Sequence, residues 1–532
     1  MTEATAAEIE SLRPLLAVAV SGVAVFLILL SRRWPTFREG WTIAAAILKF
    51  GLVVSMAPDA LAGREHVTDP GSLVPGVEFA LRADPLGLLF ATVASGLYVV
   101  TAVYSIGYCR GLDEHEQTRF FAALAASLSA TIGVAFATNL LVLFLFYELL
   151  TVATYPLVAH EETHSARVAG YKYLAYALSG GVVVVFGTLL VFTLTGTVTF
   201  TPGGIEALAT TDPWLGRSAF ALLVIGFGVK AAMIPLHSWL PSAMVAPTPV
   251  SGLLHAVAVV KSGVFGITRV ITDVFGPDTV ASLGMDLPLA IAAATTILLG
   301  SLLALRQDDL KRLLAYSTVA QLSYIVLGVA LVSPTAIAGG LLHLPAHAFA
   351  KLTLFFCAGA LYVELGVRDV SELAGVGRRM PLTMASFAIA SFSMVGIPLL
   401  AGFISKWYLV LGGVSAGQPL VVVLLVVSGL LNVAYFWPVI YTAFFETADE
   451  ATATPVITSP FGGQPEDAIR ADGGSNWESR SWRGDETGRL LLVAILTTTA
   501  LVVGFGLLAG SVFFFDAIRL VVERATGVGL GL

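Results

Sequence analysis

The sequence predicts an all-α protein that crosses a membrane about fourteen times. Of its 532 residues, 57% are hydrophobic and 12% are charged, and that charged fraction is about half of what an ordinary soluble protein carries. The mean hydropathy is +0.86. Apolar runs of roughly 20 residues, the length of a membrane-spanning helix, recur along the whole chain. These observations exclude an ordinary soluble enzyme and indicate a polytopic membrane protein.

Fourteen apolar segments are long enough to be membrane helices. They cover residues 14–31, 41–57, 85–108, 119–136, 138–158, 168–195, 217–234, 250–275, 284–305, 313–332, 336–363, 382–412, 419–445 and 489–515. Acidic residues precede the first segment, Arg32 and Arg33 follow it, and no small-residue cleavage site is evident. We therefore expect a retained helix rather than a cleaved signal peptide.

The positively charged residues predict the orientation. Seventeen Lys and Arg residues lie in the loops after odd-numbered segments, whereas the loops after even-numbered segments hold Arg64, Arg82, Arg217 and Arg269. Lys and Arg are enriched in cytoplasmic loops. We therefore expect a multi-pass protein of the plasma membrane with both termini on the outer side.

Five basic residues lie inside apolar segments: Lys49, Lys230, Lys261, Lys351 and Lys406. A charged side chain at the centre of a bilayer costs at least about 2.5 to 3.5 kcal/mol, so such residues usually have a function and a partner. Lys49 lies near the end of its segment, and we expect its long side chain to extend to the membrane interface. The other four are candidate ion-pathway residues.

Glu148 is the natural partner for the first of these four lysines. It lies in an apolar segment with no other charge for ten residues on either side. An ion pair with Lys230 would explain two costly residues at once. Burial favours the neutral lysine and a nearby carboxylate favours the charged one, so moving the carboxylate would make Lys230 take up or release a proton.

Histidines extend this series. His255 precedes Lys261 in one segment, and His343, His347 and Lys351 follow one another at intervals of four residues in another. That spacing places the last three on one face of a helix. Histidine donates and accepts protons near neutral pH, so the set is suited to proton transfer. A metal site at the two histidines is disfavoured, because no Asp, Glu or Cys lies near them in the sequence.

Prolines predict interruptions beside these charges, because proline lacks a backbone donor. Pro235 follows Lys230, and Pro398 precedes Lys406. Pro345 lies between His343 and His347 in the segment 336–363. We expect a helix break at each. The segments of Lys230 and Lys406 lie five segments apart, one in each half, which is the pattern of a five-helix repeat with interrupted helices.

The two cysteines, Cys109 and Cys357, lack the spacing of an iron–sulfur, zinc or disulfide site. We therefore expect no cofactor, no metal and no redox centre in this chain. The net charge of -7 is concentrated between residues 446 and 486, which we interpret as a solvated linker.

Several motifs between Phe120 and Phe445 resemble a known family. They are FYELLTVATYPL, VKAAMIPLHSWLPSAMVAPTPVSGLLHAVAVVKSGVF, DDLKRLLAYSTVAQLSYI, HAFAKLTLFF, GVGRRMPLT and AGFISKWY. The chain resembles the proton-conducting subunits shared by Mrp-type cation/proton antiporters and the antiporter-like membrane subunits of respiratory complex I. Within that family, FISKWY and GVGRRMPLT look most like the D subunit of the Mrp antiporters.

The resemblance implies fourteen helices that contain two inverted five-helix repeats around a hydrophilic axis. It implies N-terminal helices at 1–118, repeats at 119–275 and 284–445, an acidic cytoplasmic loop at 446–488, and a C-terminal helix and tail at 489–532. The residues that it carries over by motif are Glu148 paired with Lys230, His255, Lys261, His347, Lys351 and Lys406. The sequence alone adds His343.

The leading hypothesis is a proton-translocating subunit of a multi-subunit Na+ or K+/proton antiporter, with other membrane subunits as partners and no nucleic acid. A proton-pumping subunit of a redox complex linked to NADH, quinone or hydrogenase is the alternative. A subunit devoted to inorganic-carbon uptake and an assembly scaffold are further alternatives. For the antiporter and for the redox complex alike, the chain itself would be a transporter subunit without its own redox centre.

Overall fold

The computed structural model describes residues 7–447, 486–508 and 513–530. The chain is 78% helical, and twelve of the helices in these ranges are long and apolar enough to cross a membrane. The predicted class, an all-α multi-pass membrane protein, is therefore confirmed. Each of the fourteen predicted segments contains helix, although some also include residues outside it, and the number of crossings stays a prediction. Nearly all of the predicted acidic loop at 446–488 lies outside the described residues.

The first half of the chain contains the helices α1 to α11. They are α1 Arg13–Leu30, α2 Pro35–Leu61, α3 Pro85–Gly111, α4 Gln117–Phe136, α5 Leu140–Val158, α6 His164–Thr195, α7 Glu206–Ala209, α8 Pro213–Lys230, α9 Trp239–Ser242, α10 Thr248–Ala256 and α11 Val259–Arg269. A π-helical turn, Val270–Phe275, continues α11.

The second half has the same helical character. Its helices are α12 Pro277–Ser282, α13 Asp286–Ala304, α14 Leu310–Ala330, α15 Pro334–Leu365, α16 Val376–Arg379, α17 Pro381–Val395, α18 Ala401–Ser415, α19 Pro419–Phe445, α20 Arg489–Leu508 and α21 Phe513–Thr526. The last predicted segment, 489–515, covers α20 and the first residues of the amphipathic α21, and residues 509–512 lie outside the described residues.

A small sheet, which the sequence analysis did not predict, lies outside the helices. Strand β1 (Ala7–Glu10) pairs in parallel with β2 (Arg64–Val74), and β2 pairs antiparallel with β3 (Val77–Ala83). The sheet joins the segment before α1 to the connection between α2 and α3. A search for apolar runs misses it because its strands are short and rich in polar residues.

Two of the three predicted helix breaks are confirmed. Helix α8 ends at Lys230, before Pro235. The segment predicted at 382–412 is divided into α17 and α18 around Pro398, with Gly396 in the left-handed region at φ +101°. Glycine adopts that conformation without steric cost. Gly396 therefore ends α17, and the chain becomes helical again at Ala401, the start of α18.

The predicted break at Pro345 is wrong, because α15 runs through it from Pro334 to Leu365. A proline removes only one backbone donor, and membrane helices tolerate it where neighbouring groups compensate. The third break lies instead between α10 and α11, where the amides of Val257 and Ala258 both donate to the carbonyl of Leu253. No proline marks that position, so the predicted segment 250–275 looked continuous.

The expectation for Lys49 is also wrong. Helix α2 extends to Leu61, which places Lys49 near its middle, and the side chain is fully buried. It therefore does not extend to the interface. Lys49 is also the central residue of the predicted segment 41–57, so those bounds already argued against a position near the interface.

A buried ion-pair network fixes the start of α3 against α11. Arg269 donates to both carboxylate oxygens of Asp84, at 2.5 and 2.7 Å, and to Asp273 at 2.8 Å. Asp84 also caps α3 by accepting from the amide of Gly87. Burial acts to raise the pKa of Asp84, but the charge and hydrogen bonds of Arg269 outweigh it and hold that pKa below its ordinary value. The sequence analysis had assigned Arg269 to a loop, whereas it is 2% exposed.

We expect Arg269→Ala to destabilise the fold strongly. The substitution leaves two buried carboxylates without their partner, and breaking a buried pair in this way costs about 3 to 5 kcal/mol. Arg64→Ala is a matched control, because Arg64 pairs with Asp59 at the surface and exposed pairs contribute about 0 to 1 kcal/mol. Thermal unfolding in detergent should show a large loss for the first variant only. Equal melting temperatures would contradict the structural role given to Arg269.

Candidate proton pathway

Glu148 and Lys230 form the pair that the sequence predicts. The Lys230 Nζ lies 4.0 Å from Glu148 Oε1, the lysine is fully buried, and Glu148 is 19% exposed. The ammonium also lies 3.3 Å from the centroid of the Tyr147 ring and donates to the Tyr147 carbonyl. A cation over an aromatic face is stabilised by the ring quadrupole, by about 2 kcal/mol when both are desolvated. Lys230 is therefore held by a ring, a carbonyl and a carboxylate together.

The interruption after α8 is stabilised by bonds to its last carbonyls. The indole nitrogen of Trp239 donates to the carbonyl of Val229 at 2.8 Å. The amides of Ala231 and Met233 donate to Phe227 and Gly228. The C-terminus of a helix carries partial negative charge, so Lys230, the last residue of α8, is placed where a cation is favoured.

Two glycines make room for this arrangement. A Cβ on Gly181 of α6 would lie 2.3 Å from Glu148 Oε1. A Cβ on Gly263 of α11 would lie 2.3 Å from the amide nitrogen of Ala231, directly after Lys230. Glycine therefore allows the close approach of α6 to the carboxylate and of α11 to the broken end of α8.

Helix α15 carries His343, His347 and Lys351 on one buried face. The two ring nitrogens of His343 lie 2.8 Å from Ser405 Oγ and 2.9 Å from Gln321 Oε1. Lys351 donates to Ser317 Oγ and to the carbonyl of Leu314. The predicted common face of these three residues is therefore confirmed. Their hydroxyl and amide partners come from α14 and α18.

Lys261 and two histidines complete the buried centre. Lys261 of α11 donates to the carbonyl of Leu344 on α15 at 3.1 Å. His255 and His347 are fully buried, and their ring nitrogens have no hydrogen-bond partner within the described ranges. A buried polar group without a partner costs about 1 to 3 kcal/mol. These nitrogens are therefore suited to bind water.

The structure brings most of the candidate residues into one group. His347 lies within electrostatic range of Lys261, Lys351, His343 and His255. His343 is in turn within range of Lys406. The Glu148–Lys230 pair is separate, since the only charge interaction found for Lys230 in the described part of the chain is with Glu148. Gly263, two residues from Lys261, marks the point at which the backbone of α11 approaches the end of α8 beside Lys230.

Lys406 lies at the second break. Its Nζ donates to the carbonyls of Met394, at 2.6 Å, and Val395, at 3.1 Å, which end α17. The same atom lies 4.9 Å from the centroid of the Tyr324 ring. In both halves, a lysine ammonium next to an interrupted helix therefore lies over a tyrosine and donates to a backbone carbonyl, which belongs to α5 for Lys230 and to the broken helix α17 for Lys406.

Five residues that contact the pathway side chains were not predicted from the sequence. Tyr147, Tyr324 and Ser317 contact lysine ammonium groups, and Gln321 and Ser405 contact His343. Tyr147 directly precedes Glu148 and Ser405 directly precedes Lys406, so both could have been found by position. Ser317, Gln321 and Tyr324 share one face of α14, a helix that holds none of the predicted pathway residues.

Comparison with known proteins establishes the family. The family model described as "NADH:quinone oxidoreductase/Mrp antiporter, TM" matches residues 137–432. That range is more than half of the chain and contains all eight candidate residues. The chain therefore belongs to this family.

The individual relatives include an NADH-quinone oxidoreductase subunit and an antiporter subunit. The chain is 34% identical over 513 residues to the NADH-quinone oxidoreductase subunit N of Desulforudis audaxviator (strain MP104C), covering 94% of this chain and 96% of that protein. It is 34% identical over 333 residues to the A/B subunit of a probable K(+)/H(+) antiporter of Rhizobium meliloti (strain 1021), covering 62% of this chain. The match spans only 32% of that antiporter protein. Similarity to the Mrp D subunit stays a prediction.

A solved structure shares the fold. A chain of the Mrp complex from Dietzia sp. DQ12-45-1b superposes with a TM-score of 0.80 at 21% identity, covering 97% of this chain and 98% of that chain. This similarity supports the helical architecture described above.

We expect Tyr147→Leu to slow ion transport about tenfold or more, and Tyr147→Phe to have a small effect. Leucine removes the ring under Lys230, whereas phenylalanine keeps it and loses only the 3.3 Å hydrogen bond from the hydroxyl to Gly226. A loss of about 2 kcal/mol corresponds to more than tenfold. Proton flux into vesicles, normalised to the amount of assembled protein, is the measurement. Equal fluxes for the two variants would show that the ring does not position Lys230.

Proposed function

We propose that this chain is the proton-translocating membrane subunit of a multi-subunit Na+ or K+/proton antiporter in the plasma membrane. The single observation that carries the proposal is the series of buried Lys and His side chains between the two interrupted helices. Ionisable groups are too costly in a membrane to persist as packing residues. The positive charges in the odd-numbered loops support termini on the outer side.

The Glu148–Lys230 pair would act as the first switch. A carboxylate near Lys230 attracts the proton that the lysine carries, and the 4.0 Å separation is longer than a hydrogen bond. Movement of Glu148 therefore requires no hydrogen bond to break. When Glu148 moves away, Lys230 loses the attraction that keeps it charged. It then releases its proton towards the buried lysines and histidines of α10, α11 and α15.

The buried group of Lys261, Lys351 and three histidines, His255, His343 and His347, would pass protons along α15. Lys261 and Lys351 act as carriers, and His255, His347 and His343 link them through ordered water. The hydrogen bond between His343 and Ser405 leads to the residue before Lys406, which would be the terminal site. In this proposal the segments 119–275 and 284–445 are two inverted repeats, each contributing one interrupted helix.

A cavity on the predicted cytoplasmic side would supply the protons. It has a volume of about 350 Å³, and Glu161, Asp309 and Lys311 are among the residues that line it. Lys311 donates to the carbonyl of Ala246, just before α10, and lies within electrostatic range of His255. The cavity therefore leads to the buried centre through Lys311.

The comparisons also favour a second candidate. The Desulforudis relative, which matches along nearly its full length, is named as a subunit of an NADH-quinone oxidoreductase. In a complex of that kind, electron transfer in other subunits would drive the same proton pathway. Gentle purification of the chain from its native membrane, with identification of its partners by mass spectrometry, separates the two candidates. An antiporter predicts membrane subunits without redox proteins, and stoichiometric iron–sulfur or flavin proteins would replace it with the redox-driven pump.

We expect Glu148→Gln and Lys230→Met to reduce proton flux by at least tenfold in the assembled complex. Each variant removes a charge that takes part in transfer and keeps a side chain of similar size. Glu162→Gln is the control, because Glu162 is an exposed partner of Arg119 in the connection after α5. Flux is measured in proteoliposomes with a pH-sensitive dye, with Na+ or K+ added to start exchange.

Wild-type flux in an assembled Lys230→Met complex would overturn the assigned pathway. Proton flux in the wild-type complex that neither Na+ nor K+ affects would overturn the antiporter proposal and leave the pathway intact. The two failures are therefore distinguishable.

A further inference from the structure

A cluster of metal-ligating side chains lies outside the pathway, at the ends of two membrane helices. Glu114 and His115 follow α3, and His160 follows α5. One ligand atom from each residue lies within 4.8 Å of the other two. Forty-four residues separate the two histidines, so the sequence gives no indication of the cluster.

Both histidines direct a ring nitrogen towards the same carboxylate oxygen. His160 Nε2 lies 3.6 Å and His115 Nδ1 lies 3.8 Å from Glu114 Oε2. These distances are too long for hydrogen bonds. The three ligand atoms therefore surround a space instead of bonding to one another.

The tautomer of His115 suits a metal ligand. Its Nε2 lies 2.9 Å from the backbone carbonyl of His160, and a carbonyl oxygen can only accept, so Nε2 carries the hydrogen. The lone pair of Nδ1 is then free and faces Glu114. Metal-binding histidines almost always donate their other ring nitrogen to a carbonyl or carboxylate in this way.

His160 provides the second, independent observation. Its side chain is fully buried, and neither ring nitrogen has a hydrogen-bond partner among the described residues. Buried polar atoms without a partner are rare in native proteins and indicate a bound water or ion. The ring is held in place by the stacked His115 ring, at 4.6 Å between centroids, and by the edge contact with Phe120 at 5.4 Å.

We propose that Glu114, His115 and His160 bind a divalent transition-metal ion of the zinc class. Tetrahedral zinc with ligand bonds of 2.0 to 2.2 Å requires ligand atoms about 3.4 Å apart. The observed 3.6 and 3.8 Å to the carboxylate oxygen therefore need closure by a few tenths of an ångström. The ligand atoms of the two histidines lie within 4.8 Å of each other, so the ion would also draw the two rings together, and a water molecule completes the coordination. The bound ion ties the connection between α3 and α4 to the connection between α5 and α6, independently of what the chain transports.

Cobalt binding tests this proposal directly. The protein is purified in detergent through a tag without histidine, stripped with a chelator and titrated with Co2+, whose visible absorption reports tetrahedral nitrogen and oxygen ligation. We expect one Co2+ per chain, displaced by Zn2+. Binding should weaken at least tenfold in His115→Ala, Glu114→Gln and His160→Ala, and thermal stability should rise with Zn2+ in the wild type but not in these three variants.

His164→Ala is the matched control, because His164 is an exposed histidine four residues from His160. It should bind Co2+ like the wild type. No saturable Co2+ binding by the wild type, or wild-type affinity in His115→Ala, would overturn the proposal. Should His160→Ala fail to fold, His115→Ala still decides, because His115 is 47% exposed.

Discussion

The constraint on which the structure depends is the cost of keeping a lysine ammonium inside a membrane. At Lys230 and again at Lys406 the ammonium lies over the face of a tyrosine and donates to a backbone carbonyl. The carbonyl belongs to the middle of α5 for Lys230 and to the end of α17 for Lys406. Lys230 also has the Glu148 carboxylate at 4.0 Å, which is longer than a hydrogen-bonded ion pair. Each cation is therefore stabilised without a close ion pair, which would oppose exchange of the proton.

The packing around these sites follows from that constraint. An interrupted helix leaves carbonyls that need donors, which Trp239 and the loop amides provide after α8, and Asn432 provides after α17. Between the two breaks, α15 stays continuous through Pro345. A continuous helix keeps His343, His347 and Lys351 in fixed register on one buried face.

Much of this could be predicted from the sequence, for identifiable reasons. Apolar length located the helices, and a charge inside an apolar segment identified Glu148, Lys230 and Lys406 because the membrane makes such residues rare. Proline identified two breaks but failed at Pro345, where packing tolerates it, and missed the break at Val257, which has no proline. Partners such as Tyr324, and the Glu114, His115 and His160 cluster, depend on contacts between helices distant in the chain. Local patterns carry no information about such contacts.

In the proposed function, protons cross the chain through the buried face of α15. The most direct measurement is proton flux in proteoliposomes for Lys351→Met, compared with Thr353→Ala, whose buried hydroxyl donates to the carbonyl of Phe349 on its own helix. We expect at least a tenfold loss for the first variant and near-normal flux for the second, with equal assembly. Wild-type flux in Lys351→Met would contradict it.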